Sequence, residues 1–231
     1  MAYNQFCPVA KAMEILGERW TLLLIREVLM GATRFNELQR GLSNMSPTLL
    51  TKRLVQLEQE GLLVRKKIPG QKGYEYFPTE MCRELFPVLE QVGIWGMHWA
   101  RHKMTEDDYD LELLMVHLER SIQADKLPGK ESVLRFNFTD VKDYPNWWIV
   151  AAEDSTDVCV VDPGKEVDVY FNVSVKVMCQ LWMGEISYKQ AIAEGKLNLL
   201  GPKALTRDVE NWIRPSIFAG IQPASQILHS H

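Results

Sequence analysis

The segment Arg34-Phe35-Asn36-Glu37-Leu38-Gln39, a turn over 41–45, the run Ser46-Pro47-Thr48-Leu49-Leu50-Thr51-Lys52-Arg53-Leu54-Val55-Gln56-Leu57-Glu58-Gln59-Glu60 and the basic stretch Arg65-Lys66-Lys67-Ile68-Pro69-Gly70-Gln71-Lys72-Gly73-Tyr74 decide the fold. Ser46 suits a helix N-cap and Pro47 the first helical position, where its missing amide costs nothing. On a helical wheel Leu50, Leu54 and Leu57 share one face. Thr48, Lys52, Val55 and Gln59 take the opposite face, with Thr51 and Gln56 beside them. Residues 62–64 and 74–77 read as strands around a Pro-Gly/Lys-Gly tip. Separately, each piece also fits a bland reading, an amphipathic surface helix or a solvated hairpin whose lysines guard an edge. Together, helix, turn, helix and cationic ribbon fit a major groove and its flanking phosphates. Lys52 or Arg53 can reach guanine or phosphate.

Outward from this unit, Cys7-Pro8 starts a helix that ends near Gly17, and a very apolar helix over 20–30 is closed by Gly31. A long helix over 79–102 contains Pro87, which removes one helical bond and predicts a kink near Phe86. Met81, Leu85, Val88, Val92, Trp95 and Trp99 form a heptad-like stripe on it. Packing against the chain's own helices is one use of such a stripe. A two-fold interface is the other, since two recognition helices must be spaced by about 34 Å. Cys7 has two readings. A thiol at a helix N-terminus meets the positive end of the dipole, which favours the reactive thiolate; it also serves simply as a helix-start residue.

The segments Cys7-Pro8-Val9-Ala10, Leu16-Gly17-Glu18-Arg19-Trp20-Thr21, Phe35-Asn36-Glu37-Leu38, Leu54-Val55-Gln56-Leu57-Glu58-Gln59-Glu60-Gly61-Leu62 and Tyr74-Glu75-Tyr76 resemble the HxlR family, bacterial winged helix-turn-helix regulators related to the MarR group. The resemblance covers about residues 5–102. It implies a homodimer on pseudo-palindromic operator DNA, joined through the N-terminal helix and the helix over 79–102. It further implies Ser46, Thr48, Thr51, Lys52 and Arg53 in the recognition helix, Lys66, Lys67 and Lys72 in the wing, and Arg34 and Asn36 by the DNA backbone at the supporting helix. Some members sense oxidants or electrophiles through a cysteine at the place of Cys7.

The 231 residues, 46% hydrophobic and 24% charged, suffice for two ordinary domains and exclude a disordered chain. Apolar runs stay far short of the ~20 residues of a membrane span, and the N-terminus lacks a signal-peptide core, so a cytoplasmic protein is expected. Cys7, Cys82, Cys159 and Cys179 contain no C-x-x-C, against a zinc ribbon or a disulfide scaffold. The net charge of −4 conceals an asymmetry: residues 1–104 hold 14 Lys+Arg against 10 Asp+Glu, and residues 105–231 hold 12 against 20. Two domains, 1–104 and 105–231, are therefore expected, joined near the acidic cluster Glu106-Asp107-Asp108-Asp110.

In the second half, helices are expected over 111–123, 175–182, 188–194 and 204–212, and strands over 133–140, 147–153, 158–161, 167–173 and 197–200. Strands followed by segregated helices make the fold class α+β. Phe136, Phe138, Trp148, Phe171, Met178, Leu181, Trp182, Leu197 and Leu199 are candidates to line an apolar pocket, with an ordinary core as the alternative. The segments Val167-Asp168-Val169-Tyr170-Phe171 and Gly184-Glu185-Ile186-Ser187-Tyr188-Lys189-Gln190-Ala191-Ile192-Ala193-Glu194-Gly195-Lys196-Leu197-Asn198-Leu199-Leu200-Gly201 resemble the sterol carrier protein type 2 fold over roughly 110–220. That resemblance implies an apolar tunnel for a small hydrophobic ligand, although Ile192 stands where the pattern usually has an aromatic residue.

There is neither a G-x-S-x-G elbow nor a phosphate loop, and no enzyme is expected. His98 and His102, four apart, read as a surface or interface pair rather than a metal site, and no cofactor is expected. The combined expectation is a DNA-binding transcriptional regulator, a repressor in its simplest form, acting as a homodimer and modulated by a small hydrophobic effector. A hydrophobic-ligand carrier, an enzyme on a small apolar substrate and a redox regulator acting through Cys7 are the other readings.

Overall fold

The computed structural model describes residues 2–224, so the last part of the expected second domain, 225–231, lies outside them. The chain divides into two compact units, Met1–Trp95 and Gly96–His231. The division falls inside a helix, upstream of the acidic cluster expected to mark the joint. Within the second unit, Glu106 pairs with Lys176 and Arg101 with Glu185, so this segment is tied down by ion pairs of its own unit. Among the described residues, no helix is long and apolar enough to cross a membrane.

The first unit contains α1 (Pro8–Leu16), α2 (Thr21–Leu29), α3 (Phe35–Gly41), α4 (Pro47–Gln59), an antiparallel hairpin of β1 (Leu63–Lys67) and β2 (Tyr74–Pro78), α5 (Glu80–Arg83) and the greater part of α6 (Phe86–Trp99), up to Trp95. Leu24, Ile25, Leu38, Leu50, Leu54 and Leu57 are each 0–1% exposed and form its core. Full burial of each such side chain contributes ~1.5–3 kcal/mol. Thus the leucine face of α4 holds the helix down, and its polar face is what remains outside. The helix over 79–102 divides as the proline demands: α5 stops at Arg83 and α6 begins at Phe86, directly before Pro87. His98 lies near the end of α6, whereas His102 falls in a 3-10 turn, so the pair does not share one α-helix.

The second unit contains α7 (Leu111–Ser121), β3 (Glu131–Phe138), β4 (Asn146–Ala152), β5 (Thr156–Cys159), β6 (Val169–Val173), α8 (Val175–Trp182), α9 (Tyr188–Ala193), β7 (Leu197–Leu200), α10 (Lys203–Arg207) and α11 (Val209–Trp212). Among the described residues, a five-stranded sheet has the order β5-β4-β3-β6-β7, antiparallel except for the central β3–β6 pair. Leu134, Phe136 and Phe138 alternate onto one face, where they share a cluster with Leu114 and Leu118 of α7, Met178 and Leu181 of α8 and Trp212 of α11. This face is therefore closed by helices, in an α+β layer. Several boundaries differ from expectation by one or two residues, those of α7, β3, β4, β6 and α9 among them. β5 ends at Cys159, and Val160 and Val161 are exposed. The helix expected over 204–212 is interrupted at Asp208, whose backbone (φ −109°, ψ 28°) leaves the helical region. Gly201 permits the close approach of β7's exit to β6: a Cβ there would run into the Asp168 carbonyl oxygen.

Candidate nucleic-acid interface

Four local devices set the first turn of α4. The Ser46 Oγ accepts the Leu49 amide (3.3 Å), as an N-cap should. The Gln39 side-chain amide donates to the Met45 carbonyl (2.6 Å) and the Leu42 carbonyl (3.3 Å), closing the turn between α3 and α4. The Glu37 carboxylate accepts the Thr33 and Arg34 amides (2.8 and 3.1 Å), fixing the start of α3. Gly41 packs so closely on the Glu27 carboxylate that a Cβ would collide with it, and Arg26 pairs with that carboxylate at 2.7 Å. The wing is tied to α3 as well: the Tyr76 amide donates to the Thr33 carbonyl (2.8 Å), and Arg34 lies 3.5 Å from Glu75.

On this frame Ser46, Thr48, Thr51 and Lys52 are exposed along one end of α4, and Arg34 and Asn36 are exposed on α3. Thr51 donates its hydroxyl to the Pro47 carbonyl (3.0 Å), so that proton is already used within the helix. Lys66, Lys67 and Lys72 are exposed on the hairpin, and with Lys52 they make no ion pair with a carboxylate among the described residues. Lys66 sits over Phe77 (4.9 Å) and Arg65 over Tyr74 (4.4 Å), so aromatic faces brace the ribbon's cations. Arg65 is also 3.3 Å from Glu58.

Arg53 departs from expectation. It is 8% exposed, and its guanidinium donates to Glu18 (2.6 Å) and to Gln56 (2.6 Å). It neighbours the leucine face rather than the open one, so it ties α4 to the turn after α1 instead of offering a free cation. Glu18 was absent from the expected site residues, and its signal was only its place beside Gly17 in a turn.

Cys7 is the N-cap of α1, partly exposed, with its carbonyl accepting the Lys11 amide (3.1 Å). By contrast, burial pushes the Cys82 thiol up to about 11 and the Cys179 thiol up to about 12, so both stay protonated near neutrality. The stripe on the helix after the wing is mostly outside: Met81, Val88, Val92, Trp95 and Trp99 are exposed, Trp95 by 61%. Pro87, Val88, Gln91, Val92 and Trp95 line an open groove of about 550 Å³. Only Leu85 of the stripe packs on the unit's own core.

In the second unit, Phe136, Phe138, Phe171, Met178, Leu181 and Leu197 are buried together, with Trp182 and Leu199 at their margin. Phe136 stacks on Phe171 with centroids 4.5 Å apart, and Phe171 meets Trp212 edge-on at 6.1 Å. Trp182 stacks on His117 (4.4 Å) and donates its indole N–H to Ser121 (2.8 Å). Trp148 does not join them. It pairs across the sheet with Arg135, on the opposite face, and Trp147 faces the core instead, opposite Phe136.

Two family models match the chain, HxlR-like helix-turn-helix over residues 15–104 and the SCP-2 sterol transfer family over residues 115–214. An uncharacterised HTH-type transcriptional regulator of Bacillus subtilis, YvaP, is 36% identical over 101 residues, covering 43% of this chain and 94% of that one. An uncharacterised HTH-type transcriptional regulator of Mycobacterium tuberculosis, Rv3095, is 34% identical over 127 residues, 50% of this chain and 80% of the relative. Among solved structures, the reduced form of the transcriptional regulator YodB from B. subtilis is 30% identical, with a TM-score of 0.36 over 40% of this chain and 92% of that one. With a winged helix-turn-helix in its first unit and a relative matched over nearly its whole length, the chain belongs to the HxlR-like helix-turn-helix family of transcriptional regulators, and it carries an SCP-2 domain behind that module.

Proposed function

We propose that this regulator acts in the cytoplasm as a homodimeric repressor without a chemical step of its own. The first turn of α4, with Ser46, Thr48, Thr51 and Lys52, enters the major groove of operator DNA. Lys66, Lys67 and Lys72 of the wing, with Arg34 and Asn36 of α3, take the adjacent phosphates. α1 and the exposed stripe of α6 join the two copies. The 1–104 segment carries DNA binding and dimerisation, and the segment from 105 onward carries effector binding. The observation that carries the reading is the set of exposed lysines Lys52, Lys66, Lys67 and Lys72, without carboxylate partners among the described residues, beside a capped and polar helix start. Such cations gain most from displacing counterions along a phosphate backbone.

The test is fluorescence anisotropy of labelled duplexes from the gene's own promoter region against scrambled duplexes, with protein mass from sedimentation. The expected result is a dimer that prefers the promoter duplex and loses affinity steeply with salt. A dimer indifferent to duplex DNA at low salt would overturn the proposal. An effector acts only by binding the DNA-competent and DNA-incompetent states with different affinity.

A further inference from the structure

The sheet of the second unit places Arg135 at the middle of its other face, in register with Trp148 on β4 and Tyr170 on β6. The next rung on that face is Asn146, Asn137 and Asn172. The guanidinium lies 5.5 Å from the Trp148 ring centroid and 5.9 Å from that of Tyr170, and it donates to the Asn146 side-chain oxygen (3.1 Å), which Asn137 also uses (2.8 Å). Among the described residues no carboxylate pairs with Arg135, although acids exceed bases in this half of the chain. Its Nε and the indole N–H of Trp148, a residue 6% exposed, are buried donors without an acceptor. A partly buried guanidinium braced by rings and served by one neutral oxygen is arranged for an anion it does not have. Beside it, Tyr170 is 37% exposed and offers a flat apolar shelf.

We infer that this face binds a small aryl carboxylate, the carboxylate taken by the Arg135 guanidinium and the ring laid against Tyr170. The site lies on the sheet face opposite the helix-covered core, separate from the aromatic interior where Phe136 stacks on Phe171 and Phe171 meets Trp212 edge-on. Its use as the effector site rests on the regulator reading. Binding is therefore measured without DNA, so that failure to bind and failure to regulate are told apart.

The experiment is calorimetry and ¹H–¹⁵N spectroscopy of the full chain with 1-naphthoate, with 1-naphthalenemethanol and acetate as probes lacking the charge or the ring. Saturable naphthoate binding, at least tenfold weaker binding of each control probe, and a shift of the Trp148 indole N–H signal (assigned with Trp148→Phe) are expected. Arg135→Met should lose at least tenfold in affinity, and Arg135→Lys, which keeps the charge and guards against misfolding, should recover part of it. Tyr170→Ala should weaken binding with an unchanged circular dichroism spectrum. Absence of naphthoate binding, equal binding of the alcohol, or unchanged binding to folded Arg135→Met would each overturn the proposal.

Discussion

Replacing Arg53 by alanine separates two roles for a cation on the recognition helix. The Arg53 side chain is only 10% exposed and its guanidinium spans Glu18 and Gln56, both at 2.6 Å. A charge-assisted hydrogen bond of this kind contributes ~1.5–3 kcal/mol. The Glu18 side chain is 47% exposed, so water takes over its carboxylate when Arg53 is gone. The penalty for a stranded buried charge, ~3–5 kcal/mol, is thereby largely avoided. The expected loss is about 1–2 kcal/mol of unfolding free energy in urea, some of it from the packed aliphatic stem. The DNA readout runs the other way. A phosphate contact adds ~0.9 to the slope of log affinity against log salt. Arg53, turned inward, adds nothing, so Arg53→Ala should keep the wild-type slope between about 50 and 200 mM salt, whereas Lys66→Ala should lower it by ~0.9. Anisotropy titrations with the promoter duplex give both slopes. A fully stable Arg53→Ala with a slope reduced by about one would refute the inward role.

Gly41→Ala should cost roughly 1–3 kcal/mol in urea unfolding, because its Cβ must displace the Glu27 carboxylate from a packed junction; a wild-type midpoint would show that the approach is not tight. Trp95→Glu puts a charge at the centre of the exposed α6 stripe and should yield monomers in sedimentation at micromolar concentration, and an intact dimer would remove that stripe from the interface. Burial raises the Cys82 thiol to about 11 from an ordinary value of 9.0. The folded state thus holds that proton longer than the unfolded one. Stability from this group is full below pH ~9 and is lost as pH rises toward the folded value. The gap in unfolding free energy between wild type and Cys82→Ala should then shrink by about 1.4 kcal/mol per pH unit between pH ~9 and about 11 and level off beyond; a constant gap would contradict it.

The architecture of the first unit was readable because its signals are local. Ser46-Pro47 states where α4 begins, the leucine spacing states which face is buried, and Pro87 states where the next helix must restart. Each of these depends on neighbours within a turn or two of helix. The inward turn of Arg53 is not legible in the sequence, for the opposite reason. Its position, three before Gln56 and one before Leu54, lies at the edge of the buried face. What turns it inward is Glu18, 35 residues away in the α1–α2 turn, and no periodicity reports a partner at that distance.

The second unit shows the same limit as a question of parity. The alternation of Leu134, Phe136 and Phe138 fixes the two faces of β3 from sequence alone. The pair Trp147-Trp148 fixes nothing, since adjacent residues point to opposite faces and both are tryptophan. The pairing of Phe136 with Trp147 decides it, and a slip of one residue would exchange the two indoles. Once that register is set, Trp148 moves out of the apolar interior and beside Arg135, which becomes the centre of a ring-braced, acceptor-poor cluster. A polar group on a sheet becomes readable as a site only through its cross-strand neighbours. Sequence supplies their identities, and register alone supplies which of them meet.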